Sequence, residues 1–410
     1  MKISIFTPSH DTRYLEEAYV SIRDQPFDEW VILLNGEADR VSSKILGDLR
    51  VRVAHAAPEI HGVGALKAAA CDLCTGGILL ELDHDDMLLP GVVWQVSEVF
   101  QSFPEVGFVY TNSVYMNADG SAPAAYSEQF GWSYRPYVFR GRELQEYLSF
   151  PPSPEAVSRI WYAPNHLRAF RREAYQTAGG YDRNLTILDD QDLMCRLYQV
   201  TQFMHLSIPG YLYRVHDKNT WLEPQTNKAI QDGVWPIYHR HIHGMLEGVS
   251  APQGLDRIEI GGRMNARKGY TTVDLRGPAD IIADLNGRWP FEDSSAWVIR
   301  AFDVLEHLKS PIHAMKEISR VLAPGGWLVG QVPSTEGRGA FQDPTHVSFW
   351  NENSFLYYTN ASWAKYIDTP ARFQAVNLYT TAKDDRDVCW TRFHLVNLKG
   401  GYRPPGLVEI

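Results

Sequence analysis

The sequence predicts an α/β protein of two domains, each built on a largely parallel sheet. Three observations carry that expectation. The chain has 410 residues, and at roughly 100–200 residues per domain two domains are expected. Short apolar runs alternate with helix-spaced segments in both halves, the rhythm of strand–helix–strand units. Charge divides between the same halves: residues 1–250 hold 21 Lys and Arg against 31 Asp and Glu, and residues 251–410 hold 18 of each. The run Ser250-Ala251-Pro252-Gln253-Gly254 breaks the pattern, so the expected domains are 1–250 and 251–410.

The elements follow in order. Lys2 to Thr7 reads as a buried strand, ended by the loop Pro8-Ser9-His10-Asp11. Tyr14 to Arg23 has helical spacing. Trp30 to Leu34 is a second strand, stopped by Asn35-Gly36, and Arg50 to Val53 is a third. Gly64 to Leu73 is a small-residue helix, and Ile78 to Leu82 is a fourth strand. Asn227 to Leu246 reads as a helix that bridges the two halves. In the second half, strands are expected at 255–260, 270–275, 280–285, 297–302, 327–332, 373–379 and 392–398.

Composition excludes whole classes. Hydrophobic residues make up 44% and charged residues 21%, which is neither a disordered chain nor a disulfide scaffold. The four cysteines, Cys71, Cys74, Cys195 and Cys389, fit a reducing compartment. The pair Cys71 and Cys74 resembles a redox motif only as text. The opening residues reach Pro8 at once and no run of 18 apolar residues exists. A cytoplasmic protein with neither signal peptide nor transmembrane segment is therefore expected. The net charge of −10 lies in the first half, which disfavours polyanions there except at a local patch or through a metal ion.

The fourth strand runs into Asp83-His84-Asp85-Asp86. Three carboxylates within four residues repel each other unless something cationic sits among them, and oxygen ligands suit Mg²⁺ and Mn²⁺. A solvated acidic turn is the bland alternative; the position beyond a buried strand, where α/β sheets bind ligands, favours a site. Five motifs then stand in order: Phe6-Thr7-Pro8-Ser9-His10, Ser21 to Pro26 with Gln25, Leu33 to Asp39, Thr75 to Asp86, and Gly179-Gly180-Tyr181-Asp182 followed by Asp189-Asp190-Gln191-Asp192-Leu193. In this order they resemble a family 2, GT-A fold glycosyltransferase over about 215 residues, ending near Tyr213-Arg214-Val215-His216.

The resemblance implies a metal-dependent, inverting transfer of a sugar from a nucleotide-diphosphate sugar, a UDP-sugar first, to a hydroxyl acceptor. It assigns Asp83, Asp85 and His216 to Mn²⁺ or Mg²⁺, with Asp85 in direct contact, and Asp190 to the base that takes the acceptor proton. Asp189 stands where the family has Glu. Nucleotide-sugar contacts fall to Thr7, Pro8, Ser9, Asn35, Asp39, Lys67 and Asp83. Asn35 and Gly36 replace the usual Asp of that turn, and Lys67 the usual Arg. Trp132, Tyr134, Trp161, Tyr162, Asn165 and His166 are candidates for an acceptor platform or for packing.

The second half carries Glu259-Ile260-Gly261-Gly262, Val273-Asp274, Ala283-Asp284-Leu285, Phe302 to Leu308, Leu322-Ala323-Pro324-Gly325-Gly326 and Gly339 to His346. These resemble a class I methyltransferase, the Rossmann-like fold that binds S-adenosylmethionine. The whole chain is thus expected to be a GT-A nucleotide-sugar-binding domain followed by a Rossmann-like methyltransferase-type domain. Gly261, Gly262, Arg263 and Asp274 are the candidate contacts there, for S-adenosylmethionine or for acceptor. The Gly-x-Gly turn is only partly kept and Arg263 adds bulk to it, which favours a domain retained for binding. Three other readings stay open: a binding protein with both halves decayed, a bifunctional enzyme that glycosylates and then methylates a surface glycan, and a transferase whose acceptor is a hydroxymethylated base in DNA. In the last, Arg257, Arg263, Arg267 and Lys268 would meet phosphates.

Overall fold

The computed structural model describes residues 1–36, 41–126, 128, 131–160, 164–249, 251–252, 254–262, 266–402 and 404. The chain forms two compact units, Met1–Ala251 and Pro252–Ile410. Both are α/β. Among the described residues, no helix is long and apolar enough to cross a membrane.

The first unit holds ten strands: β1 Ile3–Ser9, β2 Glu29–Leu34, β3 Val51–His55, β4 Ile78–Glu81, β5 Met87–Leu88, β6 Val106–Asn117, β7 Tyr134–Phe139, β8 Arg142–Tyr147, β9 Arg168–Arg171 and β10 Gln202–Val215. They lie in the order β3-β2-β1-β4-β9-β6-β10-β5, with the β7–β8 hairpin joined to β6 through β8. Strands β1 to β4 pair in parallel, and β9 runs antiparallel between β4 and β6. Every residue of β2 is buried, as befits a strand covered on both faces. Successive residues serve opposite cores: Ile5 packs with Trp30 and Leu80, and Phe6 packs with Val31 and Leu79.

The small-residue helix spans Val63–Leu73. Its glycine start is a packing requirement, because a Cβ on Gly64 would lie 2.2 Å from the Asp182 carbonyl oxygen. The helix expected at 227–246 runs from Pro224 to Glu247, with the Glu223 carboxylate capping its first turn. Its Ile230, Val234, Ile237 and Met245 join the first unit's own core. Its buried positions recur at helical spacing and find an apolar partner there.

The second unit holds β11 Asp256–Ile260, β12 Thr271–Asp274, β13 Ile281–Ile282, β14 Ala296–Phe302, β15 Leu322–Pro333, β16 Phe373–Thr380 and β17 Trp390–Asn397. Their order is β13-β12-β11-β14-β15-β17-β16, all parallel except β17, which runs antiparallel to both neighbours. The order reverses between β11 and β14, the switch point at which such sheets open a crevice at their carboxyl edge.

Candidate active site

The acidic turn after β4 borders a cavity of about 390 Å³ that lies wholly within the first unit. Arg214 of β10 sets the shape of that turn. Its backbone N–H donates to Asp86 Oδ1 at 2.7 Å, and its Nε donates to the Asp85 carbonyl at 2.9 Å. Asp86 is thereby drawn inward to 1% exposure, while Asp83 and Asp85 border the cavity with side chains 30% and 16% exposed. His216, just past β10, brings Nε2 to 2.8 Å from Asp85 Oδ2. His166 Nε2 lies 3.5 Å from Asp83 Oδ2.

Burial, with Glu81 and Asp85 nearby, pushes the Asp83 carboxyl up to about 7. Among the described residues, the buried Oδ2 of Asp86 has no hydrogen-bond partner. Negative charge is thus under-compensated around this turn, and an oxygen-rich set with one imidazole suits a divalent cation. Asp85 and His216 are together, but Asp83 stands off from that pair. Among the described residues, three such donor groups lie within 4.8 Å of one another only at Glu306, His307 and His346 in the second unit.

Behind the cavity lies a buried ion network. Glu81, fully buried at the end of β4, pairs with Lys67, whose Nζ lies 2.7 Å from Oε1, and stands 3.6 Å from Arg168. Lys67 also reaches Asp189 at 3.1 Å, and Arg168 reaches Asp190 at 2.7 Å. The Tyr181 hydroxyl approaches Glu81 at 3.4 Å. Two glycines with left-handed backbone, Gly179 (φ +85) and Gly180 (φ +69), turn the chain so that this ring points inward.

The three acids at the start of helix Asp189–Val200 separate by exposure: the Asp190 side chain is 23% exposed, Asp189 6% and Asp192 3%. Asp192 is held by His241 at 2.8 Å and Arg196 at 2.7 Å. Burial raises the Asp189 carboxyl, offset in part by Lys67. Burial also acts on Asp190, but Arg168 and Lys67 override it and hold that carboxyl below its ordinary value. Asp190 is therefore an ionised carboxylate at neutral pH with access to the cavity.

Of the expected nucleotide contacts, Pro8, Asn35, Lys67 and Asp83 line the cavity. The side chains of Thr7 and Ser9 do not. Thr7 Oγ1 donates to the Leu82 carbonyl at 2.6 Å and accepts from Trp30 Nε1 at 2.9 Å, and Ser9 Oγ donates to the Asp11 carbonyl at 2.9 Å. The reason is strand alternation: Pro8 takes the cavity face and its neighbours take the other. Lys67 borders the cavity, but its ammonium is committed to Glu81 and Asp189. Trp132 packs against Phe150 in a small core and Tyr134 beside it. Glu37, Asp39, Trp161 and Tyr162 lie outside the described residues.

Sequence reasoning missed Glu81 and Arg168, and also Tyr14, which stacks on His216 with centroids 5.8 Å apart. A signal existed for Glu81, the lone charge inside the apolar run Ile78 to Leu82. Nothing local marks Arg168 or Tyr14.

In the second unit Gly261 has φ +70, and a Cβ there would lie 2.7 Å from Val304 Cγ2. That turn therefore requires glycine. A Cβ on Gly262 would meet Glu259 Cγ at 2.9 Å. Asp274 ends β12, and its Oδ1 accepts from the Arg276 backbone N–H at 3.0 Å. Arg263 lies outside the described residues.

A protein-family model described as a methyltransferase domain matches residues 165–367, a span that begins inside the first unit. The chain is 26% identical over 219 residues to the O-antigen biosynthesis protein RfbC of Myxococcus xanthus, covering 51% of this chain and 15% of that protein. It is 24% identical over 224 residues to the chondroitin synthase of Pasteurella multocida (strain Pm70), covering 53% of this chain and 21% of that protein. The aligned region is thus about a fifth or less of the length of these curated relatives. Among solved structures, residues 1–349 of S. aureus TarS align with a TM-score of 0.41 and 14% identity, covering 60% of this chain and 71% of that one. The chain resembles glycosyltransferases in its N-terminal half and matches a methyltransferase domain in its C-terminal region.

Proposed function

We propose that the first unit transfers a sugar, with inversion, from a nucleotide-diphosphate sugar to a hydroxyl group, a UDP-sugar being the first donor to test. The observation that carries this reading is one cavity bordered by Asp83, Asp85, His216 and Asp190. Asp85 and His216, with Asp83 beside them, would hold Mn²⁺ or Mg²⁺. Such an ion supplies counter-charge to the departing diphosphate. Asp190 accepts the acceptor hydroxyl proton while the new bond forms at the anomeric carbon and the bond to the diphosphate breaks. Arg168 orients that carboxylate and keeps it ionised, at some cost in basicity. Lys67 balances Glu81 and Asp189, so the network holds the base in place.

The names of these relatives, an O-antigen biosynthesis protein and a chondroitin synthase, support a saccharide hydroxyl as acceptor. The methyltransferase match makes S-adenosylmethionine the ligand to test on the second unit, with glycosylation followed by methylation as the bifunctional form of this reading. The direct experiment is a screen of nucleotide-sugars for Mn²⁺-dependent hydrolysis and transfer. Asp85→Ala is expected to lower transfer by about 10³-fold or more. Full activity in EDTA would sink the metal-dependent reading.

A further inference from the structure

The second unit carries a cluster that the proposed sugar transfer does not use. Glu306, His307 and His346 each bring a donor atom within 4.8 Å of the others. The cluster sits at the carboxyl edge of the sheet. Glu306 and His307 follow β14, and His346 follows β15, its parallel neighbour. That edge beside the β11/β14 switch point is where open α/β sheets take ligands.

Two loops lock the cluster together. The backbone N–H groups of Val347 and Ser348 donate to the Glu306 carbonyl at 2.9 and 3.0 Å. Asp343 Oδ1 accepts from the Thr345 N–H and hydroxyl, at 2.8 and 2.7 Å, which shapes the turn before His346. His346 Nδ1 lies 2.9 Å from the Ala340 carbonyl. A carbonyl only accepts, so Nδ1 carries the proton and Nε2 carries the lone pair. That Nε2 stands 3.9 Å from Glu306 Oε1 and 3.9 Å from Asp343 Oδ2, too far for a hydrogen bond. The His307 ring is held by the Thr345 carbonyl at 3.2 Å and hydroxyl at 3.1 Å.

Glu306 is the independent sign. It is 2% exposed, and both of its carboxylate oxygens are buried without a hydrogen-bond partner. A carboxyl group in that setting is neutralised by a proton or by a cation, and here, unlike at Glu155, two imidazoles stand beside it to share a cation. A histidine fixed through Nδ1 by a backbone carbonyl, with Nε2 turned to a carboxylate, is the arrangement that metal-binding histidines adopt. Donors of a tetrahedral zinc stand roughly 3.4 Å apart, so His346 and Glu306 need close by only about half an ångström.

We propose that Glu306, His307 and His346 bind a first-row divalent transition metal, with zinc the reference ion. Two imidazoles and one carboxylate suit zinc or iron better than Mg²⁺ or Ca²⁺. Three protein ligands leave a coordination position for water or a substrate oxygen. The site is independent of sugar transfer, and its failure would leave that reading untouched.

The test uses the full chain, stripped of metal, with Asp85→Ala throughout so that the first unit's acidic turn does not contribute. Zn²⁺ is titrated, bound metal is counted after desalting, and thermal unfolding is followed with and without the ion. One tightly held Zn²⁺ per chain is expected, with a rise in melting temperature. Glu306→Gln and His346→Ala should each weaken binding by at least about tenfold and abolish that rise. Glu306→Gln keeps the side chain's shape and adds no buried charge, so its fold should survive. His307→Ala, read through the visible absorption of bound Co²⁺, provides a second check, because a lost imidazole changes that spectrum. No Zn²⁺ bound at micromolar free metal, or Glu306→Gln binding as tightly as its parent, would overturn the proposal.

Discussion

Each unit buries a glutamate at or just beyond the carboxyl end of a central parallel strand, and the two are treated in opposite ways. Glu81 in the first unit meets Lys67 at 2.7 Å and Arg168 at 3.6 Å. Burial would raise its carboxyl, but those two cations override it and hold the group below its ordinary value. Glu306 in the second unit has no Lys or Arg paired to it among the described residues, and burial pushes it up to about 8. The difference lies in the neighbours rather than in depth, since the two are 0% and 2% exposed. A buried acid with fixed counter-charges is a structural member that positions others, here Asp189 and Asp190. One without them is a candidate for an exchangeable cation.

That contrast can be broken at several points. The largest effect is expected at the working end of the charged network. Asp190→Asn keeps the shape of the side chain but cannot accept a proton. It should lower turnover by about 10²–10⁴-fold while donor affinity is largely kept. Steady-state kinetics with a donor-binding titration would check it, and near-normal turnover would move the base elsewhere.

Next comes the network itself. Glu81→Gln leaves Lys67 and Arg168 buried with one carboxylate fewer, which should cost about 3–5 kcal/mol in urea unfolding. A loss under about 1 kcal/mol would mean that Asp189 and Asp190 alone balance the two cations.

A third buried glutamate sharpens the comparison, because among the described residues no ion partners it, and no cation is proposed for it. Glu155 is 1% exposed, and burial raises its carboxyl to about 7. The unfolded chain releases this proton near the ordinary value of 4.5, whereas the folded chain holds it until about 7. Between those values the native state binds more protons, so this group lowers stability as pH rises. Glu155→Gln should therefore be neutral below pH 4.5 and stabilising by roughly 3 kcal/mol above pH 7. Unfolding curves at pH 4.5 and pH 8 decide it, and an equal effect at both would remove the ionisation argument.

The smallest effect is expected at a backbone feature of the second unit. Gly261→Ala places a side chain at φ +70 and against Val304. A loss of about 1–3 kcal/mol is expected, localised to the second unit by hydrogen exchange. No loss would show that the turn yields easily.

Much of the architecture could be read locally. The strands expected at 2–7, 30–34, 50–53 and 78–82 appear as Ile3–Ser9, Glu29–Leu34, Val51–His55 and Ile78–Glu81, because apolar runs between turn residues have few alternatives. In the second unit, 280–285 shortened to Ile281–Ile282 at the sheet edge, where one neighbour is missing and pairing ends early. Nothing local announced β6 to β10. Their mixture of buried tyrosines, serines and asparagines lacks a clean period, and long-range pairing settles it.

The sequence by itself determined the first four strands of the first unit and the succession of strands in the second, the place of the acidic turn after β4, and which acids cluster at 83–86 and 189–192. Only the tertiary structure decided what each acid does. Asp86 turns inward because the Arg214 backbone, 128 residues away, offers it an N–H. Asp192 is locked by His241, 49 residues on, while Asp190 keeps an open edge. Glu306 and His346 meet because β14 and β15 lie side by side in parallel. The physical reason is the same in each case. A carboxylate's charge state and reach depend on burial and on the nearest cation or donor, and residues distant in the chain supply both.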